Sequence, residues 1–182
     1  MYNNNLELRM YGLVPYQLMG IQKGIQYGHA TDEFALRVIK TLMGKGNVPK
    51  EDIETYVDWL ENWKTYIVLN GGTTNNRIQD GVYVGTLNNH KETLDKIGVF
   101  NVTFNEPDLG DQLTGVVFIV DERIFNYKKY PNFSFKEKNQ ADLNNPMFYD
   151  EKEKNEWEKW VESIGGQKNL ELRNFLSNFK LA

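Results

Sequence analysis

The chain contains no cysteine, which excludes disulfides and thiolate metal sites. Its only histidines are His29 and His90, too few for a zinc centre without thiolates, and no motif calls for a cofactor. No apolar run approaches the ~18 residues that mark a membrane-spanning helix. The opening residues Met1 to Asn5 lack the basic start and apolar core of a signal peptide. A soluble cytoplasmic protein, without membrane attachment, is therefore expected. Positive charge is also scarce: 21 Lys and Arg stand against 25 Asp and Glu, for a net charge of −4. That balance disfavours non-specific nucleic-acid binding, which rests on cationic surface, although it leaves room for a local basic patch, with Lys23, Arg37 and Lys40 on or beside the polar arc of the first helix. There is no nucleophile elbow, Cys–His pair or zincin motif, and the one glycine-rich loop lacks the lysine of a P-loop.

What remains is a chain of 182 residues with 13% aromatics, long enough for a sizeable core. Leu6 to Tyr16 alternates and then runs apolar, as a strand does. Gly20 to Met43 has helical periodicity with a wide apolar arc, comprising Ile21, Ile25, Tyr27, Phe34, Ala35, Val38, Ile39 and Leu42. Glu51 to Trp63 reads as a short helix with Ile53, Tyr56, Val57 and Leu60 inward, and Lys64 to Asn70 as a buried strand. Thr86 to Gly98 reads as a helix with Thr86 as its N-cap and Gly98 as its stop. Val99 to Phe104 and Thr114 to Asp121 read as strands, antiparallel across the turn at Glu106 to Asp111. Two helices, Glu151 to Ile164 and Leu170 to Leu181, close the chain. The expected fold is three-layer α/β, with a short mixed sheet of about four strands flanked by helices. The expected organisation is an α/β domain over 1–127, an irregular arm over 128–150 and C-terminal helices over 151–182 packed on the same domain.

The stretch from Met19 to Phe34 carries the most information. At about 100° per residue, Gly20, Gly24 and Gly28 share one side of the helix, and Gln22, Gln26, His29 and Glu33 share another. Each helical glycine costs roughly 1 kcal/mol relative to alanine, so the ridge is expected to face the sheet and permit close packing. Gly24→Leu would then overpack. The second stripe is polar and starts uncharged, as the flank of a site would be.

Ligands of open α/β sheets bind beyond the C-terminal strand ends. Three loops are expected to converge there: Gln17 to Gln22, Asn70 to Asn75 and Asn105 to Asp111. Gly20, Ile21 and Lys23 would sit at a helix N-terminus suited to phosphate or carboxylate. Asn70, Gly71, Gly72, Thr73 and Thr74 would offer backbone N–H groups and hydroxyls to an anion. Gln22, Gln26 and His29 would flank that helix N-terminus, with Glu106 and Asp108 as carboxylates, Glu106 able to hold a water and His29 able to act as a base.

Gln26-Tyr27-Gly28-His29-Ala30 matches the Gln-x-x-His-Ala core of the peptidyl-tRNA hydrolase family of the archaeal and eukaryotic type, which the chain resembles from Leu8 to Val120. Over its whole length the chain resembles phage-encoded proteins with a Gly-Ile-Gln-x-Gly-Ile-Gln-x-Gly-His pattern, and abundant Asn and Lys suit an AT-rich genome. The resemblance implies an acidic residue (Glu106 or Asp108) ahead of a threonine (Thr114) in the site. It also implies a catalytic lysine four residues before the glutamine, where this chain has Gln22. Lys23 is one place off and rotated by ~100°. Two functions follow as expectations. One is hydrolysis of the ester at the aminoacyl or peptidyl end of tRNA, slow without the lysine. The other is a binding protein without turnover, holding a nucleotide-type ligand, with a phage counter-defence role in host cytoplasm open to it. A homodimer is compatible with either.

Overall fold

A computed structural model describes residues 6–74, 77–79, 82–136 and 145–182. Asn75 and Asn76 of the glycine-rich loop, and 137–144 of the arm, lie outside the described residues. The fold is three-layer α/β, built on a mixed four-stranded sheet of order β2-β1-β6-β5. Strand β1 (Leu8–Val14) runs parallel to β2 (Thr65–Asn70), and β5 (Asn101–Glu106) runs antiparallel to β6 (Gln112–Asp121). The two inner strands are buried almost continuously, as strands covered on both faces must be.

Helix α1 (Gly20–Leu42) packs its Tyr27, Ala30, Phe34 and Val38 on Met10, Val102 and Val117 of the sheet. The sheet makes room with its own glycines. A Cβ on Gly12 would lie 1.9 Å from the Tyr27 ring, and one on Gly115 would lie 2.9 Å from Ala30 Cβ and 3.0 Å from the Gln26 carbonyl oxygen. Gly20, Gly24 and Gly28 have no atom within 4 Å of such a Cβ. The expectation that the helix glycines face the sheet is thus overturned: the close approach is real, but its glycines are in the strands. The apolar arc is corrected in the same way. Ile21, Ile25, Ile39 and Leu42 are exposed, and the arc looked wide because it merges two opposite faces.

Helix α2 (Lys50–Asp58) continues as a π turn, Trp59–Trp63, that ends at Lys64 with φ 50°. Trp59 is buried, while Val57 and Leu60, expected inward, are exposed. A small hairpin that the sequence did not announce, β3 (Arg77–Gln79) with β4 (Val82–Val84), precedes α3 (Thr86–Ile97). Gly85, not Thr86, is the N-cap of α3, because Thr86 already lies in the first turn, where its backbone N–H donates to the Thr73 hydroxyl oxygen at 3.1 Å. The C-cap is Gly98, as expected, at φ 77°.

The contacts divide the chain into two compact units, Met1–Val120 with Phe179–Ala182, and Asp121–Asn178. The division falls after Val120 rather than after Tyr127. Helix α4 (Glu122–Phe125) belongs with α5 (Glu151–Ser163) and α6 (Gln167–Leu176), for Arg173 of α6 donates to the carbonyls of Arg123 and Tyr130 and to Asn132 Oδ1. Residues 128–136 and 145–150 contain neither helix nor strand. The last helix ends at Leu176 instead of Leu181: Leu181 bridges Leu69 of β2 in antiparallel fashion, with Asn70 N–H donating to Lys180 O and Ala182 N–H to Val68 O.

Candidate functional site

Gln26 lies on the first turns of α1 and is buried among groups from β5 and β6. Its Nε2 donates to Glu106 Oε2 at 2.6 Å, and its Oε1 accepts from the Thr114 hydroxyl at 2.5 Å. The arrangement fixes the amide's orientation, since a carboxylate can only accept and therefore faces the NH2 end. Thr114 is fully buried, and the strand register explains its aim. Glu106 pairs with Gln112, Asn105 with Leu113 and Phe104 with Gly115, which leaves Thr114 as the extra residue of a β-bulge. Such bulges re-aim a side chain, here toward α1. One residue on, Gly115 admits the Gln26 backbone.

Glu106 ends β5 and is half-buried. Among the described residues it has no ion pair, and Gln26 engages one of its two carboxylate oxygens. The group can accept a hydrogen bond from a water or a hydroxyl. The cluster continues to the loop after β2, where buried Thr74 donates its hydroxyl to Gln112 Oε1 at 3.2 Å. Gln112 was missed in the sequence. Nothing there separates it from an ordinary turn-to-strand residue, and only the bulge makes its neighbourhood special. His29 packs edge-on against Phe104, 4.6 Å between ring centroids. The aromatic partner was also not anticipated.

The other expected site residues serve differently. Gln22 is exposed, and its Oε1 accepts from the Met19 backbone N–H at 3.1 Å, closing the helix N-terminus. Lys23 is half-buried and has no ion pair among the described residues. Gly20 and Ile21 are exposed in the first turn, where N–H groups lack intrahelical partners. Asp108 is exposed in the 3-10 turn Pro107–Leu109. In the loop after β2 the backbone donors are already engaged: Gly71 N–H to Val14 O, Gly72 N–H to Asn70 Oδ1 and Thr73 N–H to Thr86 Oγ1. Thr86 also donates to Gly71 O. Over Gly71 to Thr73 this loop is therefore a clasp between β1, β2 and α3, with those three amides engaged and not open to an anion. Its contact with the loop after β1 is direct, through Tyr16 N–H donating to Gly72 O at 2.8 Å.

The structure thus brings Gln26, Glu106 and Thr114 into one hydrogen-bonded chain, sets Gln112, the partner of Thr74, opposite Glu106 in the strand register, engages Gln22 and Thr73 in capping, and leaves Asp108 exposed. Among the described residues no group of His, Asp and Glu could hold a metal ion, and no helix is long and apolar enough to cross a membrane. No protein-family model matches the chain, and no curated protein matches it.

Proposed function

We propose that the protein engages the ester-linked end of aminoacyl- or peptidyl-tRNA at Glu106, Gln26 and Thr114, and hydrolyses that ester slowly. The observation that carries the reading is the buried amide of Gln26, which bridges a carboxylate and a hydroxyl from two strands. Glu106 would orient and deprotonate a water, a role open to a carboxylate within ~3 Å of the proton it takes. Gln26 would hold that carboxylate in place, and Thr114 would hold Gln26. Slow turnover follows from the lack of a charged donor: Gln22, where the resemblance implies a lysine, brings no charge and is committed to the helix cap. Losing one preorganised donor for the developing oxyanion typically costs 10²–10³ in rate.

A second reading is favoured by the same lack of charge. With no cation bonded to the Gln26–Glu106–Thr114 chain among the described residues, the protein would hold a nucleotide-type ligand without turnover. Single-turnover hydrolysis of N-acetyl-aminoacyl-tRNA, with binding measured in parallel, separates the two. Hydrolysis above the spontaneous rate supports the first reading, and binding without hydrolysis supports the second. Absence of both overturns the pair.

A further inference from the structure

We infer that α1 is a dimerisation helix whose outward face pairs antiparallel with the same face of a second copy of this chain. The inward face is accounted for by Tyr27, Ala30, Phe34 and Val38 on the sheet. The outward face is also apolar, yet uncovered: Ile21 is 76% exposed, Ile39 52%, Leu42 68% and Met43 63%. Ile25 and Leu36 are exposed beside them. At about 100° per residue these positions fall in one arc of ~120° centred opposite Ala30, and Asp32 is the only charge within it. A helix that is apolar on both sides is normally covered on both.

The area suits a dimer. Six exposed Ile, Leu and Met side chains contribute on the order of 100 Å² each. The sum is roughly 600 Å² per chain, near the ~1,200 Å² total at which stable interfaces begin and at the top of the roughly 300–600 Å² range of the largest apolar patch on a monomer. The distribution of size points to a second copy in antiparallel orientation. Gly24 and Gly28 occupy the N-terminal half of the arc between and beside Ile21 and Ile25, with open space where a Cβ would be. Leu36, Ile39, Leu42 and Met43 occupy the C-terminal half. Antiparallel pairing sets the large half of each helix on the glycine half of the other, twice, about a two-fold axis near Asp32. Parallel pairing would set glycine on glycine and bulk on bulk. An isologous contact of this kind closes after two copies, and it assigns the glycine ridge a role that the sheet does not.

Sedimentation equilibrium of the full chain over ~1 µM to ~1 mM tests the inference, with far-UV circular dichroism as the check on folding. A reversible dimer is expected. Ile39→Lys should abolish it, and Gly28→Leu should weaken it at least tenfold, both with an unchanged monomer fold since each site faces open space. Asp32→Asn should tighten it, because two carboxylates meet near the axis. The absence of cysteine allows the orientation to be read directly. A mixture of Gly28→Cys and Leu36→Cys proteins treated with a short bis-maleimide should give mainly the mixed dimer. A monomer at every concentration, a dimer indifferent to Ile39→Lys, or cross-links between like positions would each overturn the proposal.

Discussion

A buried primary amide must satisfy two donors and one acceptor, and at Gln26 a carboxylate and a hydroxyl take up one of each. Removing it takes from half-buried Glu106 its side-chain partner among the described residues and leaves the Thr114 hydroxyl only the long 3.5 Å bond to Phe104 O, a loss that costs ~1–3 kcal/mol. Gln26→Ala should therefore lower the urea midpoint of unfolding by an amount equivalent to about 2–3 kcal/mol. A loss below ~0.5 kcal/mol would mean that the chain of bonds is not made in solution. Another residue-scale effect concerns His90, which packs on Phe179 with 4.8 Å between ring centroids. Burial lowers its pKa below the ordinary 6.5. The unfolded chain then takes up the proton first, so the stabilisation is complete above pH ~6.5 and is lost as pH falls through the folded value. The melting temperature should decline on acidification from pH 7 to 5, and the decline should be smaller in His90→Gln. An equal decline in both would contradict the assignment.

Elements show which features were legible in the sequence and why others were not. The strands β1, β2, β5 and β6 and the helices α1, α2, α3, α5 and α6 were recognisable because burial on a regular backbone leaves a period, whereas the single turn of α4 is too short to show one. The side from which a helix glycine is approached leaves no such mark. Gly20, Gly24 and Gly28 looked like a packing ridge, but the sheet supplies its own clearance at Gly12 and Gly115. The two versions predict opposite outcomes. Gly24→Ala should leave the monomer as stable or stabilise it by up to ~1 kcal/mol through helix propensity. Gly115→Val should destabilise by ~1–3 kcal/mol, because its Cβ meets Ala30 and the Gln26 backbone. Thermal unfolding of both variants decides between them. Glu106 was recognisable as a carboxylate in a strand-end loop, and Thr114 as a site residue through the motif resemblance. Their meeting with Gln26 depends on a bulge that no local pattern encodes, and the engagement of Gln22 and Thr73 in capping depends on where helices begin, to within a residue.

At the scale of the molecule, each unit contains a buried polar side chain that joins separate segments of the chain. In the unit Asp121–Asn178 that side chain is Arg173, 2% exposed. Its guanidinium donates to two carbonyls and Asn132 and lies 4.5 Å over the Tyr127 ring. Arg173→Met keeps volume but strips those acceptors, and should cost on the order of 2–4 kcal/mol in urea unfolding while opening 123–132 to limited proteolysis. Unchanged protease resistance would show that the loop stands without it. In the other unit the corresponding group is Gln26, and the functional account rests on its carboxylate partner. The measurement that tests this most directly is single-turnover hydrolysis of N-acetyl-aminoacyl-tRNA by the parent protein and by Glu106→Gln, with substrate binding followed in both. The account predicts hydrolysis above the spontaneous rate in the parent and a fall to the spontaneous rate in Glu106→Gln, with binding retained. Hydrolysis that is indifferent to Glu106→Gln, or a parent protein that does not bind the charged tRNA, would contradict it.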